Sequence, residues 1–144
     1  MLIFSKFLYM IEINFGAVFV AAIAGFLVGF TWYHPNVFGT LWMRLAKVNP
    51  GSADAKKMMV QSIVLGFVVT AISAYVMAHF IAVWGAVNFL EAAQFGFWVW
   101  MGFQMPILIG SVLWEQKPWN LFFLNGAYWL VSMIVMSGIL VWMA

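Results

Sequence analysis

Residues 29–39, Gly-Phe-Thr-Trp-Tyr-His-Pro-Asn-Val-Phe-Gly, mark the point at which an apolar run of the chain stops and turns. The run ends at Trp32 and Tyr33, and Pro35 and Gly39 follow within a few residues. Tryptophan and tyrosine are enriched where a transmembrane helix leaves the hydrocarbon for the headgroup layer. We therefore predict that a first transmembrane helix ends here and that the chain continues along the interface.

The composition of the 144 residues is that of an integral membrane protein. The chain is 67% hydrophobic and 7% charged, with a mean hydropathy of +1.04. A soluble domain carries about 25% charged residues, so this chain could not cover itself with a polar surface. A net charge of +2 is too small to indicate a nucleic-acid partner, and the absence of cysteine excludes disulfides and thiolate chemistry. The predicted partner is the lipid bilayer.

Four apolar runs are long enough to cross a bilayer, which requires about 20 residues. We expect one membrane domain over residues 1–144 with spans at 14–32, 58–84, 92–113 and 119–143. The predicted fold is all-α, with four transmembrane helices in an antiparallel bundle. Residues 1–13 are expected to lie along the interface or to extend helix one. The first span is interpreted as retained rather than as a signal peptide, because its apolar run continues to Phe30.

Residues 35–48 predict an amphipathic interfacial helix between helices one and two. One face is apolar and the other carries polar and basic side chains, as expected for a helix lying at the headgroup boundary. The apolar face consists of Val37, Phe38, Leu41, Trp42 and Leu45, and the polar face of Asn36, Thr40, Arg44 and Lys47. A proline in the first turn, Pro35, is compatible with helix initiation.

Two stripes of small residues recur at four-residue spacing. They are Ala17, Ala21, Gly25 and Gly29 in helix one, and Gly66, Thr70, Ala74 and Ala78 in helix two. Small residues at this spacing allow two helix backbones to approach closely in a membrane. The sequence leaves open whether the stripes pack within one chain or between chains, and it thereby permits self-association.

The distribution of Lys and Arg predicts the orientation. The segment between helices one and two carries four cations and the turn between helices three and four carries Lys117, whereas the opposite side has Lys6. The positive-inside rule places both termini outside. The predicted anchors at the inner interface are Trp32, Trp42, Arg44, Lys47, Trp114 and Trp119.

A few polar residues lie in or beside the spans and are candidates for a binding pocket. Gln104, near Pro106 in helix three, and Asn125, near the start of helix four, could approach the end of helix one in a polar pocket roofed by aromatic rings. The alternative is that these groups form hydrogen bonds between helices. The pocket candidates are Tyr33, His34, Asn36, Gln104, Asn125 and Tyr128.

The two histidines do not predict a metal site. His34 and His79 are expected near opposite faces of the bilayer, and metal sites need three or four ligands. We expect His34 to cap a helix or anchor it at the interface and His79 to bond to a neighbouring helix, with axial ligation of a haem or pigment left open. No cofactor is predicted. No nucleotide-binding or hydrolase motif is present, so the chain is not expected to be an enzyme.

Two stretches resemble a known family. They are GFLVGFTWYHPNVFGTLWMR (25–44) and GFQMPILIGSVLWEQKPWNLFFLNGAYWLVSMIVMSG (102–138). The first is similar to the pattern Gly-x-x-Trp-Tyr-x-Pro-x-x-Phe-Gly-x-x-Trp-Met of the domain-of-unknown-function 1761 family. The matching positions are Trp32, Tyr33, Pro35, Phe38, Gly39, Trp42 and Met43. His34 matches no fixed position. The resemblance implies a small four-helix membrane protein, found in bacteria and fungi, without an established activity or catalytic residue.

Three functions are compatible with the sequence. The first is a structural or accessory subunit that forms a homo-oligomer or joins a larger complex in the bacterial cytoplasmic (inner) membrane. The second is a channel or transporter for a small solute or ion, formed by the bundle or by an oligomer. The third is a protein that binds a lipid, a quinone or a pigment. A lack of charged residues in the middle of the spans argues against proton-coupled transport by a single chain.

Overall fold

The computed structural model describes residues 11–144, which are helical and connected by short turns. The predictions for the lead-in up to residue 10, and for Lys6 within it, lie outside the described residues. The helices are α1 (Phe15–Trp32), α2 (Thr40–Ala46), α3 (Ala55–Trp84), α4 (Phe89–Val99), α5 (Met105–Leu113) and α6 (Trp119–Trp142). Two π-helical turns, Pro35–Gly39 and Trp100–Gln104, precede α2 and α5 respectively.

The prediction of four helices that are long and apolar enough to cross a bilayer is confirmed for the described residues. Four helical stretches are long and apolar enough to cross a bilayer: Phe15–Trp32, Ala55–Trp84, Phe89–Leu113 and Trp119–Trp142. The third of these contains α4, the second π-helical turn and α5. Residues 11–144 are therefore all-helical and include four helices suited to a membrane.

Helix α6 lies at the centre of the packing. It contacts α1 on one side and α4 on the other, and α1 in turn packs against α3, whereas α3 and α4 touch only slightly. The buried residues of α6 form the middle of the core: Leu121, Leu124, Gly126, Ser132, Met133, Met136, Ser137 and Leu140. The Ser137 hydroxyl donates to the Met133 carbonyl over 2.6 Å, so this buried polar group is satisfied within its own helix.

The small-residue stripe of α1 packs within the chain. Ala17 and Ala21 are buried, and a Cβ placed on Gly25 would lie 2.7 Å from the sulfur of Met136 on α6 and 3.1 Å from a methyl carbon of Thr70 on α3. In the α3 stripe, Thr70 and Ala74 are buried, whereas the surroundings of Gly66 are open. The α1 stripe is thus occupied by contacts with α6 and α3.

Two helices begin before the membrane spans predicted for them. Helix α4 begins at Phe89 rather than at residue 92, because the Asn88 side chain accepts from the Glu91 amide (3.0 Å) and Glu91 accepts from the Val87 amide (2.8 Å). This reciprocal pair satisfies free amides of the first turn. Helix α3 begins at Ala55, before the predicted membrane span of 58–84.

The interfacial segment predicted as one helix over 35–48 is shorter and has two parts. The π-helical turn Pro35–Gly39 runs directly into α2, which ends at Ala46. Lys47 ends the helix because its φ of 56° lies in the left-handed region, and its amide donates back to the Met43 carbonyl.

The close approach of α4 and α6 at Gly96 predicts a sensitive position. A Cβ on Gly96 would lie 2.9 Å from the carbonyl carbon and oxygen of Met133, which are backbone atoms and cannot rotate away. Gly96→Ala should therefore destabilise the fold by about 1–3 kcal/mol, as overpacking does. Thermal unfolding in a mild detergent measures this loss.

Gly66→Ala is the matched control, because a Cβ at Gly66 has no neighbour within 4 Å among the described residues. Its unfolding temperature should stay the same or rise slightly, since alanine is favoured over glycine in a helix by up to about 1 kcal/mol. Equal destabilisation by both substitutions would contradict the assigned contact between α4 and α6.

Candidate functional site

A polar cluster joins the end of α1 to the first half of α6. The Tyr33 hydroxyl donates to the Asn125 side-chain oxygen over 2.7 Å, and the Tyr33 ring meets Tyr128 edge to face at 5.1 Å. Trp42 covers the Tyr33 ring from α2 at 5.6 Å. Burial, and secondarily Tyr128, raise the pKa of the Tyr33 phenol well above its ordinary value, so the hydroxyl remains a donor. This cluster therefore joins two helices through a hydrogen bond. That is the second of the two interpretations of these polar residues given above, and not a ligand pocket.

His34 and Asn36 lie outside this cluster, at the exposed corner that follows α1. His34 Nδ1 accepts the Asn36 amide over 3.1 Å, so His34 caps the π-helical turn. Gly39 closes the turn by donating its amide to the His34 carbonyl over 2.9 Å. A Cβ at Gly39 would come within 2.9 Å of the His34 carbonyl oxygen and still nearer to that of Tyr33, which explains why glycine occupies this position. The predicted six-residue pocket is therefore not assembled at the corner.

His79 also bonds differently from the prediction. Its Nδ1–H donates to the Tyr75 carbonyl one turn earlier in α3 (3.0 Å), and its ring packs on the Tyr75 ring, rather than reaching a neighbouring helix. Among residues 11–144, no group of three or more His, Cys, Asp or Glu side chains could hold a metal ion.

The predicted tryptophan anchors occupy different environments. Trp114 is 86% exposed and Trp119 is half exposed, at the two ends of the turn between α5 and α6. The Trp32 ring instead packs against Phe38 of the corner, with ring centroids 4.8 Å apart. Trp42 is partly covered by its contact with Tyr33. Thus Trp114 and Trp119 are free to contact lipid, whereas Trp32 and Trp42 also hold the corner against α1.

Gln104, the remaining pocket candidate, lines a different site, which we call the α3–α4 groove. This cavity has a volume of about 720 Å³. The buried side chains of Met77, Phe95 and Met133 contribute to it, and Met133 belongs to α6, which lies behind the other two helices. The remaining lining residues are Ile72, Ser73, Val76, Phe80, Val83, Trp84, Trp98, Val99, Phe103 and Gln104. The sequence did not reveal this groove, because it forms where two helices fail to pack closely.

The second π-helical turn places Gln104 on this groove. Pro106 has no amide hydrogen and its ring clashes with the carbonyl four residues earlier, which favours a local widening of the helix. Here the Met105 amide donates to the Trp100 carbonyl, one residue farther back than in an α-helix. The Trp100 indole N–H then fastens the turn to α6 by donating to the Gly126 carbonyl over 2.9 Å. Such π-helical turns are frequent at functional sites.

Two polar side chains, those of Gln104 and Ser73, are among the residues that line the α3–α4 groove. The side-chain oxygen of Gln104 is buried and has no hydrogen-bond partner among residues 11–144. The Ser73 hydroxyl uses its hydrogen on the Val69 carbonyl (3.0 Å), which leaves its lone pairs free. An unpaired buried acceptor costs about 1–3 kcal/mol. The Gln104 amide also carries two N–H donors, so this side chain brings both kinds of hydrogen-bonding group to the edge of the groove.

These observations define the class of the protein: the part of the chain that the structure describes is all-helical, and its four long apolar helices indicate a multi-pass membrane protein. The model of the family described as "Protein of unknown function (DUF1761)" matches residues 16–141, so the chain belongs to that family, as its residue pattern predicted. Comparison with curated proteins and with solved structures gives no match.

The bond between Tyr33 and Asn125 gives a testable prediction. Tyr33→Phe removes the donor and should lower the free energy of unfolding by about 0.6–2 kcal/mol, the range for hydrogen bonds between membrane helices. A double-mutant cycle with Asn125→Ala, measured by thermal unfolding in detergent, should show coupling. Tyr75→Phe removes a hydroxyl outside this cluster and is the control. Strict additivity of the Tyr33 and Asn125 substitutions would contradict the assignment.

Proposed function

We propose that this protein is a non-enzymatic multi-pass membrane protein whose α3–α4 groove binds a lipid-soluble molecule taken up from the bilayer. The observation that carries the proposal is the groove itself, which has a volume of about 720 Å³ and is lined almost wholly by apolar and aromatic side chains. Binding sites for small molecules measure about 300–1,000 Å³ and combine apolar walls with a few polar groups. The groove meets both criteria.

We propose in addition that the four helices form an antiparallel bundle. Two hydrogen bonds between the ends of α1 and α6 support this arrangement. Asn14, which caps the start of α1, donates to the Met143 carbonyl at the end of α6 over 2.8 Å. Tyr33, which follows α1, bonds to Asn125 near the start of α6. Contacts that join the start of one helix to the end of the other are those of an antiparallel pair.

A lateral groove is accessible to molecules dissolved in the membrane. The side chains of Phe80, Trp98 and Phe103 line the groove and are more than half exposed. In a bilayer such surfaces face hydrocarbon, so an apolar molecule could enter without crossing water. The same lining disfavours an ion pathway through the groove, because no charged side chain is among the residues that form it.

We place ligand binding ahead of an accessory role because one of the two small-residue stripes that motivated self-association, that of α1, is occupied within the chain. Gly25 faces Met136 and Thr70, so this face of α1 is already covered. A homo-oligomer or a complex would have to use other surfaces, such as the side of α3 that is open at Gly66.

Val76→Trp should abolish binding by filling the groove, since Val76 lines it from α3. Val69→Trp introduces the same ring at an exposed position of the same helix that does not line the groove. The measurement is extraction and mass spectrometry of small molecules retained by protein purified in mild detergent. We expect near-stoichiometric retention by the wild type and by Val69→Trp, and loss by Val76→Trp. A wild type free of bound molecules, or equal retention by both variants, would overturn the proposal.

We further propose that the basic corner and the turn bearing Lys117 face the cytoplasm of a bacterial inner membrane, with both termini outside. Because the chain has no cysteine, single cysteines report orientation without background. Val87→Cys, at a 78% exposed position in the turn between α3 and α4, should react with a membrane-impermeant maleimide on intact cells. Ser52→Cys, between α2 and α3, should react only after permeabilisation. The reverse pattern would refute this orientation.

A further inference from the structure

The α3–α4 groove occupies only the half of the two spans that is next to the turn between α3 and α4. On α3 its lining runs from Ile72 to Trp84, where the helix ends. On the third span it runs from Phe95 to Gln104, and none of the described residues of α5 contributes. The α3 part is about 18 Å long at 1.5 Å per residue, close to the roughly 15 Å of hydrocarbon in one leaflet. The groove therefore has the length of one lipid chain.

Glu91 lies one helical turn beyond the end of the groove that is nearest to the α3–α4 turn, which we call the mouth. It precedes Phe95 by four residues and Trp98 by seven, so the three side chains share one face of α4, and the latter two line the groove. The ring centroids of Trp84 and Phe95 are 6.2 Å apart, which brings the end of α3 to the same level. Glu91 is partly buried, and its Oε2 accepts the Val87 amide. A carboxylate thus stands at the mouth of an apolar groove.

The charges of the described residues are separated between the two ends of the molecule. Glu12 is at the same end as Glu91, because it lines a small cavity together with Gly85 and Val87 of the α3–α4 turn. No Lys or Arg of the described chain lies at this end. Those that the structure describes lie between α1 and α3, in the first turn of α3 or after α5, at the opposite end: Arg44, Lys47, Lys56, Lys57 and Lys117. Carboxylates attract an ammonium group and repel an anionic headgroup.

We infer that the α3–α4 groove binds the hydrocarbon chain of a lipid whose polar end carries an ammonium group, and that Glu91 pairs with this group at the mouth. The inference rests on the proposed function, because it names the class of lipid that the same groove takes. Trp84, which is 54% exposed, adds an aromatic face near the mouth, and such faces attract cations. A single-chain lipid amine and a phospholipid with an ethanolamine headgroup both present this ammonium group.

The test uses four photoreactive probes with the same 16-carbon chain and a diazirine near the end of that chain. Their polar ends are a primary ammonium, a phosphoethanolamine, a phosphoglycerol and a hydroxyl group. Each probe is incorporated into lipid nanodiscs with the full-length protein, irradiated and quantified by mass spectrometry on peptides of α3 and α4. The ammonium probe should label groove residues about fivefold more than the hydroxyl probe, as expected for one partly exposed ion pair. The phosphoglycerol probe should label them least.

The labelled positions report the orientation of the ligand, and the phosphoethanolamine probe reports its source. Because the diazirine is near the chain end, adducts are expected at the inner end of the groove, near Ile72 and Phe103. Adducts confined to the region of Trp84 would place the polar end at Gln104 instead and would overturn the inference. Equal labelling by the ammonium and phosphoethanolamine probes assigns the groove to ethanolamine phospholipids, whereas labelling by the ammonium probe alone assigns it to free lipid amines.

Glu91→Gln tests the role of the charge, because a glutamine oxygen can still accept the Val87 amide and keep the helix cap. In this variant the ammonium and hydroxyl probes should label the groove equally. Glu12→Gln removes the other carboxylate at this end, which does not line the groove, and should leave the preference unchanged. A preference for the ammonium probe that persists in Glu91→Gln would refute the role of Glu91.

The outcomes separate this inference from the proposed function. Equal labelling of the groove by all four probes would overturn the selection for an ammonium group and leave ligand binding in the groove intact. Labelling of the wild type by none of the probes would overturn both. Labelling that persists in Val76→Trp, which fills the groove, would show contact with the surrounding lipid rather than binding and would also overturn both.

Discussion

Inside hydrocarbon, every backbone amide and carbonyl must find its partner within the protein, and this constraint explains most of the structure. It makes the four long apolar stretches helical over their whole length. It also makes deviations from the α-helix informative, because each one needs a local substitute for the missing bond. Two such deviations occur in the described chain, at Pro35–Gly39 and at Trp100–Gln104, and each lies beside a proline.

The two π-helical turns serve different purposes. At the first, the His34 side chain caps the turn, and the backbone passes so close to itself that only glycine fits at position 39. The result is a fixed corner between α1 and α2. At the second, Trp100 binds the turn to α6, while Gln104 is presented on the α3–α4 groove. A similar backbone turn thus fixes a corner of the chain in one place and puts a polar residue beside an apolar cavity in the other.

The α3–α4 groove exists because α6 packs closely against α4 and α1, whereas α3 and α4 hardly touch each other. Helix α6 packs tightly against α4 at Gly96, where the two backbones nearly touch, and against α1 at Gly25. Helix α3 is held by α1 and has little contact with α4. Large side chains on the α4 side, including Trp98 and Phe103, therefore remain exposed instead of filling the space between the two helices. Close packing on one side of the molecule leaves an opening on the other.

Many local features were predictable from individual residues. Tryptophan and proline at the end of the first apolar run predicted where α1 stops, and Asn125 was recognised as a polar group that needed a partner. The early start of α4 could have been read from Asn88 and Glu91, which stand at the spacing of a reciprocal helix cap. The surroundings of Gln104 could not be predicted, because Gln104 and Asn125 are similar in type and differ only in what the fold places beside them.

Composition, run length and a local residue pattern were enough to indicate a membrane environment, the number of helices long enough to cross a bilayer, and the family. The tertiary structure alone decided that the α1 stripe packs within the chain, that Tyr33 bonds to Asn125 and that Gln104 faces an apolar groove. These outcomes depend on which helix faces lie together. Four uniformly apolar helices can be arranged in several ways with nearly the same hydrophobic burial, so close contacts at a few small residues select the arrangement.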